Sequence, residues 1–213
     1  HPPNSNNCCI SLRQRVHNLC GNRIDSSMGA DTDPIHNDPN ANDVDPARHL
    51  RNRALKQQVV AQLSSFGLTR FSLNHRCHQA ADQVSASLQN EFCSVLELLP
   101  CKERLKMVSG VGWQRGVVGS AIVDAGHETL EGYTLQSTEP VIVTDLRQES
   151  RFPAAAFQQH GVVSGVSTII GPHEKPWGVL GTHTSQCVDY TVEDVQFVVA
   201  VANILGSAVV RHR

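Results

Sequence analysis

The chain predicts an α+β fold: an antiparallel sheet with its terminal helices packed on one face, and loops and short helices over a pocket on the other. Three observations carry this prediction. Strand-like runs come in consecutive pairs joined by short turns, which favours antiparallel pairing. Amphipathic helices stand at both ends of the regular part of the chain. Between them lies an irregular, glycine-punctuated middle that has only the second face of the sheet left to cover, leaving a cavity between loops and sheet.

The elements follow in order. In LRNRALKQQVVAQLSSFGL, Leu55, Val59, Leu63 and Phe66 recur at helical spacing, and Gly67 ends the helix. A second helix over Leu73–Leu88 puts Cys77, Ala80, Ala81, Val84 and Leu88 on one face. FCSVLELLP then begins a strand, with Phe92, Ser94, Leu96 and Leu98 on one side and Cys93, Val95, Glu97 and Leu99 on the other. Cys101–Arg104 is a tight connection, and RLKMVSGVGW (104–113) is a second strand.

The middle of the chain is less regular. QRGVVGSAIVDAG is broken by glycines, GHETLEGYTLQST (126–138) reads as a short helix ending near Ser137, and EPVIVTDL (139–146) reads as a strand. Phe152-Pro153 opens another short helix that Gly161 closes, since proline suits a first helical position and glycine the residue past the end.

A β-hairpin follows. Val162–Ile170 and Trp177–Thr184 flank the turn Gly171–Pro176. Gly165, Gly178 and Gly181 interrupt its strands, and glycine there marks a bulge or the close approach of another group. The last helix is announced by Thr191-Val-Glu-Asp194, a capping-box variant, and carries Val195, Val198, Val199, Ala202, Leu205, Ala208 and Val209 as a broad apolar stripe.

Composition bounds the function. The 213 residues suffice for one domain of ordinary size with an appendage. Residues 1–49 are dense in Asn, Asp and Pro and read as a mostly disordered arm or linker, with one short helix over Cys9–Cys20, whereas 50–213 form the domain. Beginning at His1, the chain reads as a processed form or a fragment, with no secretory signal pattern. A net charge of −2 and no Lys/Arg cluster argue against a nucleic-acid partner, and no apolar run is read as reaching the length of a membrane span. Seven cysteines, an odd number without a CxxC, argue against a zinc ribbon or a disulfide framework and for a reduced, cytoplasmic protein.

Five segments, in order, resemble the GAF domain, the small-molecule sensor module of signalling proteins: FCSVLELLP, GWQRGVVGSA, GYTLQSTEPVIVTDLRQESRF, HGVVSGVSTIIGPHEKPWGVLGTHT and YTVEDVQFVVAVANILGSAV. The resemblance covers about Ala54 to Val210 and is similar to GAF modules of bacterial sensor histidine kinases and related multidomain regulators. It implies about six strands, helices behind and a ligand pocket in front. It also implies signal relay through the terminal helices to a partner or output domain. The family name alone fixes no cofactor. The NKxnFxxxDE pattern of cyclic-nucleotide members does not align. Residues 147–161, where bilin-binding members need a cysteine, have none, and Cys77-His78 precedes the first strand.

Candidate ligand-binding residues are Trp113, His127, Tyr133, Asp145, Phe152, Phe157, His160, Ser164, Ser167 and Thr182. Most lie on the elements expected to cover the sheet, and the last three lie on the hairpin. Strand alternation forbids Ser164 and Ser167 from sharing a face, and likewise Thr182 and His183, so one of each pair is a poor candidate. Asp145 serves equally to cap the turn before Arg147, and Trp113 and Trp177 to cap the core. Eleven histidines without HxH or HxxxH spacing point to no metal site. Cys93 reads as a small core residue, and Cys101 and Cys187 as thiols at turns.

No catalytic residue is assigned. Free methionine-(R)-sulfoxide reductase is the enzyme alternative. Its GVCG motif resembles GVVG (116–119), with Val118 in the cysteine position, and its GHIACD-like segment is matched by QHGVVS (159–164), again without cysteine. Valine cannot replace a thiolate nucleophile. A homodimer through the first and last helices, with or without a ligand in the domain, completes the expectations.

Overall fold

A computed structural model of the chain describes residues 46–65, 72–153, 157 and 159–212. The expectations for residues 1–45, for Phe66 and Gly67, and for most of the helix after Pro153 lie outside the described residues.

Six strands, β1 (Phe92–Leu98), β2 (Arg104–Val111), β3 (Ile122–Asp124), β4 (Val141–Val143), β5 (Ser164–Ile170) and β6 (Gly178–Thr184), form one sheet in the order β3-β2-β1-β6-β5-β4. Every neighbouring pair is antiparallel. β1 and β6 are central: β6 is buried along all seven residues and β1 over Cys93–Leu96, as befits strands covered on both faces. The three-residue β3 and β4 form the edges, short enough to offer little unpaired backbone.

Helices α1 (Pro46–Ser65), α2 (Leu73–Leu88) and α4 (Val192–His212) cover the back face, and α3 (Leu130–Gln136) lies on the front. α2 begins where Ser72 accepts from His75 N and ends at Gln89, in the left-handed conformation at φ 55°. Its small residues Cys77, Ala80, Ala81 and Val84 are fully buried, which lets the helix approach the sheet closely. The Thr191–Asp194 capping box closes reciprocally: Thr191 N donates to Asp194 Oδ2 at 2.8 Å, and Asp194 N to Thr191 Oγ1 at 3.2 Å. The main core joins these helices to Cys93 and Val95 of β1, Val166 and Ile170 of β5, and Leu180 of β6.

The alternation read for β1 holds. Cys93 and Val95 join the helix-side core, whereas Phe92, Leu96 and Leu98 join apolar clusters on the front, although a bulge interrupts the β1–β2 register between Val95 and Leu96.

Four readings need correction. Leu55 is exposed at 58%, because only the C-terminal half of α1, through Val59 and Leu63, reaches the core. Phe197 and Val201 of α4 are buried along with Val198, Ala202, Leu205, Ala208 and Val209, while Val195 and Val199 are half-buried, so the buried stripe takes in two residues not read into it. β3 stands where only irregular chain was read, three residues being too few to show a period. Finally, α4 is long and apolar enough to cross a bilayer by length and composition. Here it is a core helix, with Val198, Val201, Ala202, Leu205 and Val209 packed against the sheet and its neighbours.

Candidate functional site

The front face carries a cavity of about 150 Å³ that opens to solvent. Its floor is the β2–β3 edge of the sheet, through Met107 and Val123, and its side is the 117–121 turn, through Val117 and Ala121. That turn is tied to β2 by Met107 N donating to Ala121 O at 3.0 Å and Gly119 N donating to Met107 O at 2.8 Å. Thr129, Leu130 and Glu131 of the α3 N-terminus close one end, and Trp113, Pro153, Phe157 and His160 cover it. A mostly apolar concavity with few polar groups is the usual form of a small-molecule site.

Local sequence explains each wall. Gly112, at φ +80°, turns the chain out of β2 so that Trp113 folds back over the sheet. There its indole N–H donates to Cys93 O at 2.7 Å, and its ring meets Phe92 at 5.1 Å and His160 edge-on at 5.2 Å. α3 is clamped in place by Thr129, whose hydroxyl accepts from Gly132 N at 3.0 Å and donates to Asp124 O at 2.8 Å. Gly132 packs directly on the Gly126 carbonyl, leaving no room for a Cβ. This clamp holds the next residue back, Glu131, inside the protein at 6% exposure. Burial pushes its carboxyl up to about 7, only partly offset by its own backbone N–H.

The ten sequence candidates separate into four groups. Trp113, Phe157 and His160 line the cavity. Tyr133, His127 and Phe152 lie beside it. His127 is exposed, and with Tyr133 and Arg151 it lines a shallower surface groove. Phe152 packs under Tyr133 at 5.6 Å, and the Arg151 guanidinium lies 5.5 Å from the Tyr133 ring centre. Arg151 also donates to Ile142 O at 2.7 Å and to Glu149 at 2.6 Å, which holds the Glu149 carboxyl below the usual range.

Asp145 caps the 3-10 turn Leu146–Gln148. Its Oδ1 accepts from Arg147 N at 3.0 Å and Nε at 2.8 Å, and its Oδ2 from Arg147 Nη2 at 2.9 Å. These bonds keep its carboxyl below the ordinary value. Replacing Asp145 with Ala is expected to cost about 1–2 kcal/mol in urea unfolding through the lost cap and charge-assisted bonds, with the cavity unaffected.

The hairpin residues resolve by register. Thr182 and Ser164 face the helices, not the cavity. Asn90 donates to Thr182 Oγ1 at 3.0 Å and to the Tyr190 hydroxyl at 2.9 Å, while Ser164 Oγ donates to Gln186 O at 2.7 Å and accepts from Val188 N at 3.2 Å. They staple the 185–190 loop behind the sheet. Ser167 faces forward, beneath His183, together with Ser94. His183, on the front, packs against Phe157 at 4.9 Å, and desolvation lowers its pKa to about 3, so it is neutral.

The hairpin glycines are explained by the same residue. A Cβ on Gly165 would overlap His183 Nδ1, and one on Gly181 would lie 2.8 Å from His183 Nε2. The missing side chains make a seat for an imidazole. Trp177 packs into the helix-side core.

Glu131 and Met107 were not legible in advance. A first-turn glutamate ordinarily reads as a solvated residue favoured by the helix dipole, and nothing in TLEGY marks it as buried. Among the described residues, no group of histidine, cysteine or carboxylate side chains has the geometry to hold a metal ion. Cys77 and Cys93 are buried, with thiols pushed up to about 12 by desolvation, Cys101 is exposed, and Cys187 is half-buried.

Comparisons agree with this architecture. The GAF domain of a phosphoenolpyruvate-protein phosphotransferase from Coxiella burnetii superposes with a TM-score of 0.67 at 16% identity, over 76% of this chain and 96% of that one. Free methionine-R-sulfoxide reductase from Neisseria meningitidis, in complex with its substrate, superposes with a TM-score of 0.62 at 14% identity, over 73% and 88%. The phycocyanobilin-bound GAF domain of a cyanobacterial phytochrome gives 0.62 at 13% identity, over 73% and 94%. At such identities these likenesses establish the fold alone. No curated protein matches the chain in sequence. The family model described as GAF domain matches residues 72–209, from the α2 N-cap to the last turn of α4. That is more than half of the 213 residues, and the chain belongs to the GAF domain family.

Proposed function

We propose that this domain is a sensory or regulatory module that binds a small molecule in the front cavity and relays the event through its terminal helices. The relay would run to a partner or an attached output domain, as in the histidine-kinase proteins its motifs resemble. The cavity carries the reading: an apolar, aromatic-roofed space of about 150 Å³ with a single buried carboxyl in its wall. A path to the helices supports it. The β5–β6 turn sits against α4, where a Cβ on Gly206 would lie 2.8 Å from Gly171 N, so a shift of the hairpin is felt by the terminal helix. Such a relay requires unequal ligand affinity for two conformations.

Thermal unfolding with a library of nucleotides, haem, bilins and small metabolites tests the reading. At least one class is expected to stabilise the protein by about 3 kcal/mol at a hundredfold excess over Kd. A library that shifts nothing overturns it. Free thiols at Cys77, Cys93, Cys101 and Cys187 support a cytoplasmic setting.

A second reading, a homodimerisation module working without ligand, rests on the apolar residues that α1 and α4 leave exposed, Leu50 at 64%, Leu55 at 58% and Val210 at 70%. A stable dimer by light scattering, with no ligand response, would favour it. Catalysis is not part of either reading. No cysteine lines the cavity among the described residues, and methionine sulfoxide turnover is expected to be absent.

A further inference from the structure

We propose that the cavity selects a small organic cation, an alkylammonium or quaternary ammonium compound, with the Glu131 carboxylate as counter-charge and Trp113 and Phe157 as aromatic walls. The inference rests on the reading that this cavity takes a ligand at all, and adds its chemical class.

Four observations carry it. Glu131 is buried at 6% exposure and lines the cavity rather than the protein's outer surface. Among the described residues no lysine or arginine lines the same space, and His160 is the one basic side chain there. Arg151, on the neighbouring groove, is engaged by Glu149 and the Ile142 carbonyl. The fold does not need a carboxylate at this position, because Thr129 already caps α3.

An ionised carboxylate held in apolar surroundings is costly unless a positive group meets it. Burial has raised this carboxyl to about 7, as expected of an acid whose environment supplies no counter-charge. Indole and phenyl faces attract cations through their quadrupoles, most strongly when desolvated. Both terms favour an organic cation, and both work against phosphates and carboxylates, for which the walls offer no arginine or lysine.

Titration calorimetry of the full chain at pH 8 with choline and with its uncharged isostere 3,3-dimethylbutan-1-ol tests this. n-Butylamine and n-butanol serve as a second pair. At least one cation is expected to bind tenfold or more tightly than its neutral partner. Glu131→Gln is expected to bring that ratio below twofold while keeping the wild-type circular dichroism. The wild-type comparison alone decides the sign should the variant fail to fold. Equal affinity of cation and alcohol overturns the cation inference and leaves the cavity a ligand site. Silence from both pairs, together with silence from the wider library, overturns the cavity reading itself.

Discussion

Alanine at position 178 is expected to destabilise the domain by about 3 kcal/mol or more, the upper end of what inserting one methyl group into a packed interior does. Gly178 opens β6 opposite Glu97 of β1, at the centre of the sheet. A Cβ there would overlap the Leu96 carbonyl oxygen and lie 2.9 Å from the Leu96 carbonyl carbon and 3.2 Å from Glu97 Cα. All three are backbone atoms, so no side-chain rotation relieves the overlap. The two central strands must separate, weakening ladder bonds that both halves of the sheet share. Gly116→Ala provides the contrast. That residue has φ +91° and nothing within 4 Å of its Cβ position, so only backbone strain of about 1–2 kcal/mol applies. Urea unfolding of the two variants side by side should separate them, and equal losses would contradict the steric account.

Glu131→Gln is expected to make the protein more stable at pH 8 by about 3 kcal/mol and to leave it nearly unchanged at pH 4. The folded-state carboxyl lies at about 7, against an ordinary value of 4.5. Between those values the folded form holds a proton that the unfolded chain has lost. Wild-type stability therefore falls as pH rises from about 4.5 through about 7, and is flat above. Glutamine removes that slope. His183 acts with the opposite sign: its folded pKa of about 3 against 6.5 means the unfolded chain binds the extra proton, so stability rises with pH across that window. In the wild type the two slopes oppose each other from about pH 4.5 to 6.5. The glutamine variant should instead gain stability from pH 4 to 6, through His183 together with lowered carboxyls such as Asp145 and Glu149 at the acid end, and urea midpoints at pH 4, 6 and 8 will show it. A pH profile of the variant parallel to wild type would remove Glu131 from the account.

Much of the scaffold was readable because its information is local. α2 matches its expected span, Leu73–Leu88, since small apolar residues recur at helical spacing behind a serine cap. The α4 start was marked by a capping box whose two halves lie three residues apart. The hairpin was marked by its turn, and the face assignment of β1 by alternation. The site was less readable. Trp113, Phe157 and His160 reach the cavity as expected of covering elements, but His127 lies on the surface nearby because only the packing of α3 decides which side of the preceding loop turns inward. Asp145 had two readings with identical sequence support, and the bond to Arg147 selects the cap.

By itself the sequence determined the order of the longer helices and strands, the antiparallel pairing, and the family, because propensity, caps and periodicity act within a few residues of one another. Tertiary structure alone decided the rest. Register placed Thr182 among the helices and His183 on the front, turning the hairpin's glycines into a seat for an imidazole. Packing of Gly132 on Gly126 drew Glu131 into the cavity wall. Both outcomes depend on which distant surfaces meet, and a carboxylate carries no mark of its burial until they do.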